Sequence, residues 1–176
     1  MPRTSFFSGL LLALLASASH AAAPARPITA GELQKALAAE RGRVVVLAVW
    51  ATWCVPCLRE IPELLDLQAS MSPSRVSLIG VAVDEPVAGA SPIEEFRRKH
   101  FPEFRTYMRA GPEIDELVSV VDPAWNEVVP TTYVLDRAGR MVERLQGRKT
   151  PAELRAAVER ALGGALPPVD RRRRSD

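Results

Sequence analysis

The sequence predicts an α/β domain, helices packed about a central mixed sheet. Two apolar runs, Val44–Trp50 and Arg75–Val83, are too short for helices and rich in β-branched residues, so they read as strands buried on both faces. Helix-opening signals alternate with these runs. A hairpin followed by a last helix closes the chain, and that order makes the sheet mixed.

Each element has a local cause. Thr29-Ala-Gly-Glu32 is a capping box, Thr29 at the N-cap and Glu32 three residues on. It opens a helix with Leu33 and Leu37 turned inward, and Gly42 is expected to end it. After the first strand, Cys57–Ala69 shows helical spacing in Ile61, Leu64, Leu65 and Leu67, with Pro62 expected to kink it. Ser91-Pro-Ile-Glu94 repeats the capping pattern, with Pro92 at the first helical position, and starts a helix toward Lys99. Phe104–Tyr107 reads as a short strand and Pro112–Val121 as a short helix. Thr131–Leu135 and Met141–Gln146 are antiparallel neighbours joined by the turn Asp136-Arg-Ala-Gly-Arg140. A third capping box, Thr150-Pro-Ala-Glu153, opens a helix ending at Gly163-Gly164. No internal repeat is visible.

A chain of 176 residues fits one domain. At that length, folding buries roughly two-thirds of the unfolded surface without a covalent staple. Hydrophobic residues at 47% and charged residues at 25% exclude wholesale disorder, a collagen-like repeat and a polytopic membrane protein. With Arg3 and the segment Asp170–Asp176 set aside, acidic and basic residues nearly balance. Such a body has no footprint for nucleic acid, whose phosphates demand a concentrated basic face.

Met1–Ala23 reads as a secretory signal: Arg3 is the positive start, Phe6–Ala18 the apolar stretch, and the small residues before Pro24 offer cleavage sites. The alternative is an uncleaved anchor, but spanning a bilayer takes about 20 apolar residues and this run is shorter. No cysteine lies near the cleavage region, which argues against a lipidated lipoprotein. Cleavage places the mature chain outside the cytoplasm, where disulfides persist.

The chemistry is expected in Trp53-Cys-Val-Pro-Cys57, which holds the only two cysteines. The pair lies where a buried strand hands over to a helix. There, unpaired N–H groups and the helix dipole favour a thiolate on Cys54, making it the stronger nucleophile. Two intervening residues let the sulfurs meet across one turn, and Cys57, further in, would resolve a mixed disulfide. A structural zinc site needs about four ligands, and only His100 remains beside this pair once His20 goes with the signal. Covalent haem attachment needs His directly after the second cysteine, where Leu58 stands. An inert disulfide stays open as a reading, although so small a loop gains little stability from closure.

The stretch Val45-Val-Leu-Ala-Val-Trp-Ala-Thr-Trp-Cys-Val-Pro-Cys57 resembles the active-site strand and helix start of thioredoxin-fold proteins. Glu60-Ile-Pro62 is similar to the TlpA/ResA branch, as is Trp125-Asn-Glu-Val-Val-Pro-Thr-Thr-Tyr-Val-Leu-Asp-Arg-Ala-Gly-Arg140. In element order the resemblance covers about Ile28–Leu162. It implies a thioredoxin-like fold, a central mixed β-sheet flanked by helices, with a helix-containing insert near Glu85–Asp122. The organisation expected is a signal over 1–23, the domain over 24–164 and a disordered basic tail over 165–176.

The resemblance further implies a thiol–disulfide oxidoreductase without a cofactor, working as a reductant in the periplasm. A membrane thiol transporter would re-reduce it, and its substrates would be disulfide proteins such as apocytochrome c or copper-site proteins. Val55-Pro56 does not itself fix the direction of exchange, which depends on the potential against the partner. The resemblance implies that Pro130 is cis and lies against the cysteines, whereas the residues alone favour an ordinary trans proline opening an edge strand. A cis bond would leave the backbone of Val129 free for an extended substrate. Glu60 falls one turn beyond Cys57 on the same side. The resemblance makes it a proton carrier for that cysteine, and the alternative is a carboxylate complementing the helix dipole. Where thioredoxins carry a buried Asp, this chain has Ala48, so Glu60 or water must manage the proton.

Trp53, next to the nucleophile, is expected to line a docking surface; Trp50 reads as core, and Trp125 is open to either reading. His100 follows Arg97-Arg-Lys99 at a helix end, where a cation suits the dipole. Arg171, Arg172, Arg173 and Arg174 read as a solvated run able to touch anionic lipid weakly. A peroxide-reducing relative would need a PxxxTxxC-like arrangement, which is absent. A Cu(I) chaperone using the two thiolates is the non-enzymatic alternative, although Met71, Met108, Met141 and His100 are scattered along the chain.

Overall fold

A computed structural model of the chain describes residues 22–86 and 91–163. The signal expected over 1–23, save its last two residues, and the tail expected over 165–176 lie outside the described residues. The elements in chain order are β1 (Arg26–Ile28), α1 (Ala30–Ala38), β2 (Val44–Trp50), α2 (Val55–Ala69), β3 (Val76–Ala82), α3 (Pro92–His100), β4 (Thr106–Arg109), α4 (Ile114–Ser119), β5 (Thr131–Leu135), β6 (Met141–Gln146) and α5 (Pro151–Gly163).

One six-stranded sheet runs β1-β4-β3-β2-β5-β6. The two continuous apolar runs are its centre. Parallel pairing takes β2 to β3 from Val44↔Val76 to Trp50↔Ala82, and antiparallel pairing takes it to β5 from Val45↔Leu135 to Val49↔Thr131. All seven residues of β2 and all seven of β3 are buried, as strands covered on both faces must be. Helices α2 and α5 pack together, and α1 packs against α4.

The capping signals operate as written. Thr29 Oγ1 accepts the Glu32 N–H while the Glu32 carboxylate accepts the Thr29 N–H at 2.9 Å. The same reciprocal pair opens α5 between Thr150 and Glu153, and Ser91 Oγ accepts the Glu94 N–H at the head of α3. α2 continues unbroken through Pro62 to Ala69, although the ring removes one backbone donor.

Several boundaries differ from expectation. α1 stops at Ala38, and Gly42, at φ +95, serves the following turn; its N–H donates to Arg137 O at 2.9 Å. β1 has no sequence signal of its own: three residues including Pro27 become a strand only by pairing with β4. β4 starts two residues later than expected because Phe104 is spent on the core, its N–H donating to Phe101 O in a tight turn. Within the expected helix-containing insert, the short strand β4 enters the sheet between β1 and β3.

The aromatic centre lies beneath the end of β2. Trp50 packs on Phe104 and Phe96 with ring centroids 5.7 and 6.3 Å away, and its indole N–H donates to Thr106 Oγ1 at 2.9 Å. Such ring pairs contribute about 0.5–1.5 kcal/mol each beyond area burial. Gly80 makes room for them: a Cβ there would lie 2.5 Å from both Phe104 Cζ and Thr106 Oγ1.

Candidate functional site

The site forms where β2 runs out. Ala51 O accepts the Cys54 N–H at 3.2 Å, and that turn delivers Cys54 to the N-cap of α2. Cys54 Sγ accepts the Cys57 N–H at 3.2 Å, so the sulfur itself caps the helix, taking the place usually filled by Ser or Asp. Pro56 stands in the first turn, where a missing N–H costs nothing. Cys54 and Cys57 are joined in a disulfide, their Cα atoms 5.2 Å apart. Both are buried, at 4% and 1% exposure, whereas Trp53 and Val55 on either side of Cys54 are 66% and 56% exposed. The pair therefore lies at the mouth of the domain under an apolar rim.

A second loop arrives at the same end. The Val129–Pro130 peptide bond is cis, as the resemblance implied, and Pro130 directly precedes Thr131, the residue paired with Val49. Gly147 N–H donates to Pro130 O at 2.8 Å, and Val128 O accepts from Thr131 Oγ1 and from the Trp125 indole. Among the described residues, neither the N–H nor the carbonyl of Val129 has a backbone partner. Val128 adds another exposed apolar side chain to this loop.

The loop is pinned from below by Asp122. Its carboxylate accepts from the Tyr133 hydroxyl at 2.9 Å and from Ala124 N–H at 3.0 Å, and pairs with Arg144 at 3.3 Å. Burial, followed by the bond to Asp122, pushes the Tyr133 phenol well above its ordinary value. Arg144 also reaches Asn126 at 2.9 Å, so β6 braces the proline loop.

Glu60 is buried, at 2% exposure, one turn beyond Cys57. Its Oε1 accepts from Thr132 Oγ1 at 2.8 Å and its Oε2 from Lys149 N–H at 2.7 Å. Burial pushes the carboxyl above its ordinary value, against the pull of those two hydrogen bonds; Glu63 adds to the rise and Arg148 opposes it. Thr132 is the register partner of Ala48, so the carboxylate lies over the place where the missing acidic group would stand.

Cys54, Cys57 and Glu60 are thus brought together on one helix, with Trp53, Val129 and Pro130 at the same end of the sheet. The other candidates are elsewhere: His100 stacks on Phe96 with centroids 4.5 Å apart, Met108 lies in β4 and Met141 in β6. Thr52, Asp84, Thr132 and Lys149 are contributors that the sequence reading did not single out. The Asp84 carboxylate accepts the Thr52 N–H at 3.2 and 3.1 Å as well as its hydroxyl. These four act through partners distant in sequence, and only the paired register of β2 and β5 could have pointed to one of them, Thr132.

Comparison with known proteins bears on the fold and the family. The chain is 25% identical over 114 residues to thiol-disulfide oxidoreductase ResA of Bacillus thuringiensis subsp. konkukian, an overlap of 65% of this chain and 61% of that one. The chain spans about three-fifths of the length of the curated relatives it matches first. Among solved structures, a DsbE-type thiol:disulfide interchange protein from Chlorobium tepidum superposes with a TM-score of 0.60 at 25% identity, covering 72% of this chain and 85% of that one. A thioredoxin family protein from Chlorobium tepidum TLS gives 0.60 at 23% identity, covering 81% and 99%. The fold is thioredoxin-like. Since the profile of the AhpC/TSA family matches residues 21–144, reaching into β6, the chain belongs to that family.

Proposed function

We propose that this chain is a thiol–disulfide oxidoreductase that acts outside the cytoplasm and reduces disulfides in protein substrates. The observation that carries the reading is the Cys54–Cys57 bond at the head of α2, with the Cys57 N–H directed at Cys54 Sγ. That N–H and the helix dipole favour negative charge on Cys54 once the pair is reduced.

In the reaction, the Cys54 thiolate attacks one sulfur of a substrate disulfide. The substrate S–S bond breaks, one substrate sulfur leaves as a thiolate and takes a proton, and a mixed disulfide forms. The Cys57 thiolate then attacks Cys54 Sγ, releasing the second substrate sulfur and closing Cys54–Cys57. Two electrons pass to the substrate, and an external dithiol must return them. Glu60 accepts the Cys57 proton in this reading. Trp53, Val55 and Val128 receive apolar substrate side chains, while the unpaired backbone of Val129, before Pro130, receives an extended substrate chain.

The physiological assignment follows the resemblance. Export directed by 1–23 delivers the domain 24–164 to the periplasm, a membrane thiol transporter re-reduces it, and apocytochrome c or copper-site proteins are its substrates. Among the described residues no helix is long and apolar enough to cross a membrane. The tail arginines Arg171, Arg172, Arg173 and Arg174 add weak attraction to anionic lipid.

Insulin reduction by dithiothreitol tests the activity. The chain should accelerate it, and Cys54→Ser should abolish the acceleration. A Cu(I) titration of the reduced chain runs beside it: tight 1:1 binding with no insulin reduction would assign a copper carrier instead.

A further inference from the structure

We propose that Asp84 is a positioning residue for Cys54, fixing the turn that presents this cysteine and holding a negative charge beside it that biases the pair toward donating electrons. The inference rests on the thiol–disulfide reading and deepens it, by naming what sets the direction of exchange.

The placement comes from the strand register. Val83, one residue past β3, donates its N–H to Trp50 O at 2.9 Å, which brings Asp84 level with the start of the cysteine turn. There the carboxylate takes both the N–H and the hydroxyl of Thr52. Thr52 is the second residue of the Ala51–Cys54 turn, so bonds from one side chain fix the chain two residues before the nucleophile. Asp84 is itself held: Arg109 of β4 donates Nε to Asp84 O at 2.9 Å and Nη1 to Pro112 O at 2.6 Å. Nη2 of Arg109 lies 3.9 Å from the Glu85 carboxylate. The guanidinium thus spends its hydrogen bonds on two carbonyls and none on the Asp84 carboxylate.

The charge consequence appears only on reduction. Two residues of chain span at most about 7 Å, which keeps the Thr52-bound carboxylate in the neighbourhood of Cys54. The disulfide is neutral, whereas a Cys54 thiolate is repelled by Asp84, partly offsetting the help of the α2 N-terminus. Other charges at this end come from every neighbouring element. α2 supplies Arg59, Glu60 and Glu63, with Glu63 paired to Arg148 at 2.6 Å. The segment after β6 supplies Lys149, whose Nζ donates to Gln146 O at 2.7 Å, and the proline loop supplies exposed Glu127. The segment after β3 adds Glu85, and β4 adds Arg109. Of the carboxylates in this set, Asp84 is the one bonded to the turn that carries Cys54. Repulsion in the reduced state alone favours the disulfide and makes the dithiol a better reductant.

The test uses the full chain with Asp84→Asn, Asp84→Ala and Thr52→Val. Alkylation of reduced Cys54 by iodoacetamide is followed from about pH 5 to about pH 9, and the dithiol–disulfide ratio is equilibrated against glutathione. Asp84→Asn keeps an oxygen for Thr52 and loses the charge. It should move the pH–rate profile to lower pH, speed alkylation at neutral pH by roughly twofold or more, and shift the glutathione equilibrium toward the dithiol by a similar factor. Asp84→Ala should do the same with a lower melting temperature. Thr52→Val keeps the charge, so its alkylation should not speed up while its disulfide exchange slows. An Asp84→Asn profile and equilibrium superimposing on those of the unmodified chain would overturn the proposal. Neither readout uses a protein substrate, so failure of the unmodified chain to reduce insulin would count against the exchange reading alone.

Discussion

Glu60 Oε1 accepts a hydrogen bond from Thr132 Oγ1 at 2.8 Å, which ties the helix carrying both cysteines to the strand that follows the cis proline. One carboxylate thereby holds the cysteine-bearing helix against the strand that leads out of the proline loop.

The pH dependence of this link has a definite sign. The Glu60 carboxyl titrates above its ordinary value of 4.5 because it is buried. Between the unfolded and the folded values, the folded chain keeps a proton that the unfolded chain has released. The stabilisation is fully present below the unfolded value and is lost as pH rises through the folded one. Glu60→Gln should remove that loss, so urea midpoints of the variant should gain on the unmodified chain as pH rises from 4.5 toward neutral. Disulfide exchange should slow, with a changed pH profile; equal rates from about pH 6 to about pH 9 would remove Glu60 from the mechanism. Glu60→Ala strands the Lys149 N–H and the Thr132 hydroxyl, and should cost about 1–3 kcal/mol.

Gly80→Ala should be far more damaging than its one methyl suggests. The new Cβ would meet Phe104 Cζ and Thr106 Oγ1 at 2.5 Å. A loss of about 1–3 kcal/mol in urea unfolding is expected, because neither the ring nor the strand behind Thr106 can retreat. A melting curve unchanged from that of the parent would contradict the packing described here.

Tyr133→Phe removes the hydroxyl that donates to Asp122 at 2.9 Å and leaves that buried carboxylate resting on Arg144 and Ala124. The cost should be about 1–3 kcal/mol. Hydrogen exchange should locate the loosening in the Asp122–Pro130 loop rather than in β2 or β3.

Trp53→Ala separates docking from folding. An indole 66% exposed contributes little to the core, so stability should stay within about 0.5 kcal/mol of the parent. The KM for a protein disulfide should rise about fivefold while reaction with a small disulfide is preserved. Equal loss on both substrates would place Trp53 in the chemistry instead.

How much of this was legible before folding depends on the range of the cause. Val44–Trp50 and Thr131–Leu135 are read with correct bounds because a short apolar run ending at turn residues is a local statement. Thr29, Ser91 and Thr150 cap their helices as written, since a cap and its partner lie three residues apart. β1 is different: Arg26, Pro27 and Ile28 are a strand only because β4 lies beside them. The same holds at the site. The cysteine pair and Pro130 stand in recognisable motifs, whereas Asp84 reaches Thr52 across 32 residues and Lys149 reaches Glu60 across 89. Such contacts are set by the sheet order and leave no mark in the sequence nearby.

The roles of the two sulfurs are tested most directly by trapping. Cys57→Ser and Cys54→Ser, each reduced, are mixed with a disulfide-containing polypeptide and analysed by intact mass under non-reducing conditions. Cys57→Ser should accumulate a covalent adduct of one chain and one substrate through Cys54, and Cys54→Ser should accumulate none. Equal adduct in both variants, or adduct confined to Cys54→Ser, would contradict the assignment of attack to position 54 and release to position 57.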